Sequence, residues 1–206
     1  MKPRYWDEAK AHLSRRDKVL RTLIRAHPDA ELKTRGDAFQ TLARSIVGQQ
    51  ISVKAAQSVW DRFALSCNRT VTPAFVVEHP EEAMRLCGLS RGKAVYIKDL
   101  ARHFHTGAIN PRRWARMHDE NVIEDLMRVK GIGRWTVEMF LIFHLMRPDV
   151  LPVGDLGLQR AMERHYNEGD PITKDDMRAI AAPWKPWSSA ATWYLWRSLD
   201  PIPVEY

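Results

Sequence analysis

Residues Val129 to Asp155 read VKGIGRWTVEMFLIFHLMRPDVLPVGD. The stretch opens on a glycine turn, Gly131-Ile132-Gly133, and continues into an apolar segment with one aromatic, Trp135, near its start. It ends in the loop Pro152-Val153-Gly154-Asp155. This order predicts two helices joined by a tight hairpin, then a loop leading into a third helix. Glycine permits positive φ and close approach of the backbone to a bulky partner. The N–H groups opening the next helix lack intrahelical acceptors and stand at the positive end of its dipole. A phosphate fits such a place, and Lys130 and Arg134 add positive charge beside it. A Gly-x-Gly turn between helices is also an ordinary αα connection, so the turn alone does not identify a site. Asp155 lies 22 residues after Gly133, at a helix start where aspartate commonly serves as N-cap. The helix dipole there favours its charged form, which suits a group that must stabilise positive charge.

Outward from this stretch, nearly every segment carries a helical signature. Trp6 to Leu13 is a short first helix, and Ser14 with Asp17 reads as a capping box opening a second through Arg25, stopped by Pro28. From Ala38 to Gly48, Phe39, Leu42, Ala43, Ile46 and Val47 recur at helical spacing, and Gly48-Gln49-Gln50 interrupts them. Ser52 caps the next helix, whose apolar stripe includes Val59, Trp60 and Phe63. Thr72-Pro73 and His79-Pro80 put prolines in the first turns of two short helices. Further helices are expected over Ser90 to His105, from Asn110-Pro111, over Asp119 to Met127, Arg134 to Leu145, Leu156 to Tyr166, Thr173 to Ala182 and Trp187 to Leu199. No segment alternates with period two for long enough to demand a sheet, and no repeat or low-complexity linker is evident. An all-α protein of about ten short helices is predicted.

The chain of 206 residues is long enough for a full core, and 45% hydrophobic with 28% charged residues excludes disorder as the default. The excess of 32 Lys and Arg over 25 Asp and Glu, a formal charge of +7, favours a polyanionic partner. Cys67 and Cys87 lack partners at zinc-ligand spacing and read as reduced core thiols. His103, His105, His118, His144 and His165 show no ligand pairing. The N-terminus has no apolar secretory region, and no run approaches the roughly 18 apolar residues of a membrane span. The expected protein is intracellular and monomeric: cytoplasmic and nucleoid-associated in a bacterium, nuclear in a eukaryote.

Taken together, the hairpin Leu126 to Gly133 and the Pro-Val-Gly-Asp loop resemble the helix-hairpin-helix, Gly/Pro-Asp (HhH-GPD) superfamily of DNA base-excision glycosylases. Ile46-Val47-Gly48-Gln49-Gln50-Ile51-Ser52-Val53, and Trp184-Lys185-Pro186-Trp187-Ser188-Ser189 leading to Trp193-Tyr194-Leu195-Trp196, resemble its 3-methyladenine DNA glycosylase II branch. The match runs in four ordered blocks from about Phe39 to Trp196.

The resemblance implies a two-lobed all-α domain over 1–206, with lobes at about 37–150 and at 1–36 plus 151–206, an active-site cleft between them, and no N-terminal α/β domain. It implies hydrolysis of the N-glycosidic bond of alkylated purines, chiefly 3-methyladenine and secondarily 7-methylguanine, in double-stranded DNA carrying damaged bases. Asp155 matches the catalytic aspartate. Trp135, Trp196, Met139 and Gln49 match the base pocket and the DNA gap beside it. Gln50 falls at the wedge, often apolar in the family. Lys130, Gly131, Gly133 and Arg134 match the phosphate-binding hairpin, where the carbonyls of Met127, Val129 and Gly131 would hold Na+ or K+. Relatives that also cut the strand carry lysine at the position of Trp135, so a monofunctional enzyme is expected. No four-cysteine cluster is present, so no iron–sulfur centre is expected and no cofactor is required. Gly154 stands where some relatives have a second acidic residue. The rival readings are a glycosylase for deaminated or oxidised bases and a damaged-DNA-binding module without catalysis. For Trp60, Trp114 and Trp193 core packing is the expected role.

Overall fold

The computed structural model describes residues 2–29, 31–33 and 36–199. Every regular element among them is helical: α1 (Trp6–Arg16), α2 (Lys18–Ala26), α3 (Ala38–Gly48), α4 (Val53–Ser66), α5 (Pro73–Glu78), α6 (Glu81–Leu86), α7 (Arg91–His105), α8 (Pro111–Trp114), α9 (Asp119–Met127), α10 (Arg134–Phe143), α11 (Leu156–Tyr166), α12 (Lys174–Ala181) and α13 (Ser188–Leu199), with a 3-10 turn at Ala182–Trp184. Among the described residues no helix is long and apolar enough to cross a membrane.

Local chemistry sets most boundaries. Side chains of Asp37, Ser52, Thr72, Ser90, Asn110, Asp155 and Thr173 each accept a first-turn N–H at the start of α3, α4, α5, α7, α8, α11 and α12, and Thr173 with Asp176 completes a capping box. The first helix boundary differs from expectation. Ser14 lies inside α1, and Asp17 caps α2 by accepting the Leu20 N–H, because Asp17 takes the extended conformation (φ −140°, ψ 123°) that aims its carboxylate at the next turn. Pro80 precedes α6 as its N-cap. The helix expected to reach Leu145 ends at Phe143, where Met146 turns left-handed (φ 54°) and the Arg147 N–H closes on the Leu141 carbonyl.

The chain divides into two compact units: the described residues of Met1–Thr34 with Leu141–Glu205, and those of Arg35–Phe140. In the first, α13 packs on α1, α2 and α11, around a core in which Trp6 stacks on Tyr194 (5.8 Å) and meets Trp193 edge-on (5.4 Å). In the second, α7 packs on α3, α5 and α6, and an aromatic chain runs Phe39–Phe104–Trp114–Phe140 with centroids 5.3–6.2 Å apart. Trp60, Trp114 and Trp193 are buried, as are both thiols.

Candidate functional site

In the first unit the site is built on the start of α11. Asp155 is 8% exposed, and its Oδ1 accepts two hydrogen bonds, from the Leu158 N–H (2.6 Å) and from the Trp196 Nε1–H (2.8 Å). The first is the N-cap bond expected from sequence. The second comes from α13, so a residue expected to line the base pocket also orients the carboxylate. Phe143 stacks on the Trp196 indole (5.7 Å, 12°) and fixes its plane. Gly157 makes room for this pair: a Cβ there would lie 3.1 Å from Asp155 Oδ1 and 3.3 Å from Trp196 Cδ1.

The loop entering Asp155 is tied down by the N-terminus of α13. The Ser189 N–H donates to the Pro148 carbonyl, the Ser189 hydroxyl to the Arg147 carbonyl, and the Val150 N–H to the Ser189 hydroxyl. Ser188 donates through both N–H and hydroxyl to Asp149 Oδ1. The Trp-Ser-Ser block was visible in the sequence, but its job, bracing the loop that presents Asp155, was not.

The other expected site residues lie in the second unit. Between α9 and α10 the Ile132 N–H donates to the Val129 carbonyl (3.2 Å), Gly131 adopts φ 80°, and Val129 and Ile132 are buried, which roots the hairpin in the core. Two α7 residues missed by sequence reasoning support it. Asp99 Oδ2 accepts the Lys130 N–H (2.9 Å), and the Tyr96 ring packs where a Cβ on Gly131 would stand. Their only sequence signal is a spacing of three on one helix.

The Gly133 carbonyl accepts the Val137 N–H and so begins α10, and a Cβ added at Gly133 would meet nothing within 4 Å. Lys130 is exposed. The Arg134 guanidinium is engaged by Glu120 in a two-point pair (3.0 and 2.6 Å), with Glu138 at 3.8 Å. The hydrogen bond between them lowers the Glu120 pKa and raises that of Arg134. A phosphate at Arg134 therefore competes with Glu120. The pair is solvent-exposed and individually weak, so the competition is feasible.

Of the carbonyls expected to hold a cation, that of Val129 accepts the Ile132 N–H, and that of Gly131 accepts the Gln49 Nε2–H at 2.8 Å. Each keeps a second lone pair. Neutral oxygens alone suit an alkali cation, and among the described residues no cluster of His, Cys, Asp and Glu could hold a metal. Gln49 is thus fastened to the hairpin. Gln50 after it is exposed in the left-handed region (φ 57°), followed by exposed Ile51 and Val53. On α10, Trp135 is 38% exposed in the first turn, and Met139, four residues on, is buried.

The sequence profile of the HhH-GPD superfamily of base excision DNA repair proteins matches residues 43–186. DNA-3-methyladenine glycosylase 1 of Schizosaccharomyces pombe is 33% identical over 198 residues, covering 93% of this chain and 86% of that one. The relative YfjP of Bacillus subtilis is 30% identical over 188 residues, and the chain spans 66% of its length. Two solved structures superpose over most of the chain. The 3-methyladenine DNA glycosylase of S. pombe in complex with abasic DNA has a TM-score of 0.81 and 32% identity, covering 93% of this chain and 96% of that one. The DNA-3-methyladenine glycosidase of Bacillus halodurans has a TM-score of 0.84 and 33% identity, covering 94% and 89%.

Proposed function

Because the chain belongs to the HhH-GPD superfamily of base excision DNA repair proteins, within its 3-methyladenine DNA glycosylase branch, we propose that it is a monofunctional glycosylase. It flips alkylated purines, 3-methyladenine and 7-methylguanine, out of duplex DNA, hydrolyses their N-glycosidic bond and leaves an abasic site. The observation that carries this reading is the buried Asp155 carboxylate held by the Trp196 indole N–H at the start of α11.

An N-alkylated purine is cationic, so its glycosidic bond is already weakened and the base leaves as a neutral molecule with the bonding electron pair. Positive charge then develops on the sugar. A carboxylate fixed by two donors stabilises that oxocarbenium-like centre, and water adds to the anomeric carbon with loss of a proton. Trp135, Trp196 and Met139 offer apolar and aromatic surface to the flipped base, each cation–π contact contributing about 0.5–2 kcal/mol. Gln50 occupies the gap left in the duplex, with Gln49 beside it, and this helps offset the few kcal/mol of unstacking.

Phosphate is held by Lys130 and by the backbone at Gly131 and Gly133, with Arg134 joining once Glu120 releases it. The carbonyls of Met127, Val129 and Gly131 would hold Na+ or K+, whose charge attracts the same phosphate. Tryptophan rather than lysine at position 135 leaves no amine there to form a Schiff base with the sugar, which supports base removal without strand cleavage.

The test is release of free methylated base from alkylated duplex DNA. Wild type is expected to release it, with Asp155→Asn slower by about 100-fold or more. Equal release by both proteins rejects Asp155 as the catalytic group. Release of deaminated or oxidised bases alone, from duplexes of defined lesion, rejects the alkylpurine assignment, and tight binding with no release of any base rejects catalysis.

A further inference from the structure

We propose that Lys93 is a positioning residue for base extrusion: it locks the Gln49–Gln50 turn in the shape that projects Gln50, and registers that turn with the glycine hairpin through α7. The inference rests on the glycosylase reading above.

Lys93 is half-buried in the first turn of α7 and donates from Nζ to the carbonyls of Val47 (2.8 Å) and Gln49 (2.7 Å). A cation in a first turn stands at the unfavourable end of its own helix dipole, so α7 gives no reason for a lysine here. The reason lies in its partners. Both carbonyls are at the C-terminal end of α3, where the last carbonyls lack intrahelical donors and the dipole is negative. Among the described residues Lys93 makes no salt bridge. Burial lowers its pKa, and the Val47 and Gln49 carbonyls stand in for the water its ammonium loses.

The Gln49 carbonyl belongs to the peptide joining Gln49 to Gln50. Holding it fixes the rotation that directs the chain into Gln50, whose φ of 57° is disfavoured for a residue with a Cβ. From the other side the Gln49 amide donates to the Gly131 carbonyl. Lys93, Tyr96 and Asp99 follow one another at intervals of three on α7, and each serves one of the two elements. Lys93 holds the turn, Tyr96 packs at Gly131, and Asp99 accepts the Lys130 N–H. One helix thus indexes the wedge to the phosphate anchor, which is what pushing a base out of a stack held by its backbone requires.

Single-turnover base release is measured on two duplexes. One has 7-methylguanine paired with cytosine; the other has the same lesion opposite a tetrahydrofuran abasic analogue, where the base has no partner to leave. Lys93→Met is expected to lose about tenfold or more on the paired duplex and under about threefold on the unpaired one, and Lys93→Arg to restore the paired rate within about threefold. Adding Lys93→Met to Gln50→Ala is expected to cost nothing further, since both act on one step. Unfolding temperatures are followed throughout, and if Lys93→Met does not fold, Lys93→Gln replaces it in each comparison. Equal loss on both duplexes, or full additivity with Gln50→Ala, overturns the role of Lys93. If wild type spares 7-methylguanine, 3-methyladenine paired with thymine and the same lesion opposite the abasic analogue replace it in each comparison; wild type that releases neither base overturns the glycosylase reading instead.

Discussion

At Gly131 the backbone turns with φ 80° and a Cβ would run into the ring of Tyr96, whereas Gly133 has no neighbour within 4 Å of a Cβ added there. The two glycines of the hairpin therefore answer to different demands. Gly131→Ala is expected to destabilise the fold by about 2–4 kcal/mol, the sum of left-handed strain and the displaced ring. Gly133→Ala should leave stability unchanged or raise it by up to about 0.5 kcal/mol through the unfolded chain. If a phosphate approaches that backbone, Gly133→Ala will still weaken binding to abasic duplex. Thermal unfolding and fluorescence anisotropy on both variants separate these effects, and unaltered affinity in Gly133→Ala would remove that residue from the interface. Trp196 poses a parallel question, because its ring and its N–H do different things. Trp196→Phe keeps an aromatic face and deletes the donor to Asp155 Oδ1. The expected result is a single-turnover rate about tenfold lower with DNA affinity within about twofold, since a charge-assisted bond in a buried site contributes roughly 1.5–3 kcal/mol. A loss of affinity alone would assign Trp196 to base binding only. The capping role of Asp155 is written beside it in the chain, but its bond to Trp196 joins residues 41 apart and becomes visible only in three dimensions.

Helices were legible where a side chain next to the boundary closes it, as with Ser52, Ser90 and Asp155. They were misjudged where two polar candidates competed, as with Ser14 and Asp17, because composition does not say which of them adopts the extended backbone that a cap needs. What no local signal supplies is the pairing of elements. Asp17 shows this best. Its Oδ1 caps α2, while its Oδ2 accepts the Tyr166 hydroxyl and the Trp184 Nε1–H, both at 2.9 Å, binding the starts and ends of three elements to one carboxylate. Burial, with the adjacent carboxylate, raises the Tyr166 pKa and keeps that hydroxyl a donor. Asp17→Ala would leave a buried indole N–H and a phenol without their acceptor, and the expected cost is about 2–4 kcal/mol, read as a lower urea midpoint with an unchanged slope. Asp17→Asn keeps one acceptor oxygen and should recover part of that loss. A cost under about 0.5 kcal/mol in Asp17→Ala would mean that water replaces the carboxylate without penalty. The same reasoning explains why the roles of Lys93, Tyr96 and Asp99 escaped notice: each looks like an ordinary polar residue of an amphipathic helix until its distant partner is known.

Over the whole molecule, each compact unit carries a histidine whose burial opposes protonation. His79, in the unit containing α3 to α9, is 9% exposed with Nε2 3.1 Å from the Ser66 hydroxyl, and burial, aided by the charge of Lys98, lowers its pKa below the ordinary 6.5. His165, on α11 in the other unit, lies 2.8 Å from the Ser198 hydroxyl and is lowered by burial and by Arg164. Unfolding returns both to water, where they bind protons near the ordinary value. Below about pH 6.5 the unfolded chain therefore holds more protons than the folded one, and stability falls as pH falls, levelling once the folded histidines titrate as well. Above that pH both states carry neutral rings and the contribution is flat. The carboxylates whose pKa the fold lowers, Asp7 beside Lys2, Glu120 beside Arg134 and Asp176 at its capping box, act in a separate and more acid window, below their ordinary values of 3.8, 4.5 and 3.8. A drop in urea midpoint between about pH 7.5 and 5.5 is therefore assigned to the histidines. Replacing His79 and His165 together by glutamine, which keeps a polar partner for each serine hydroxyl and cannot titrate, is expected to shrink that drop by more than half, and each single replacement to remove part of it. An undiminished drop in the double variant would show that the acid sensitivity arises elsewhere in the chain.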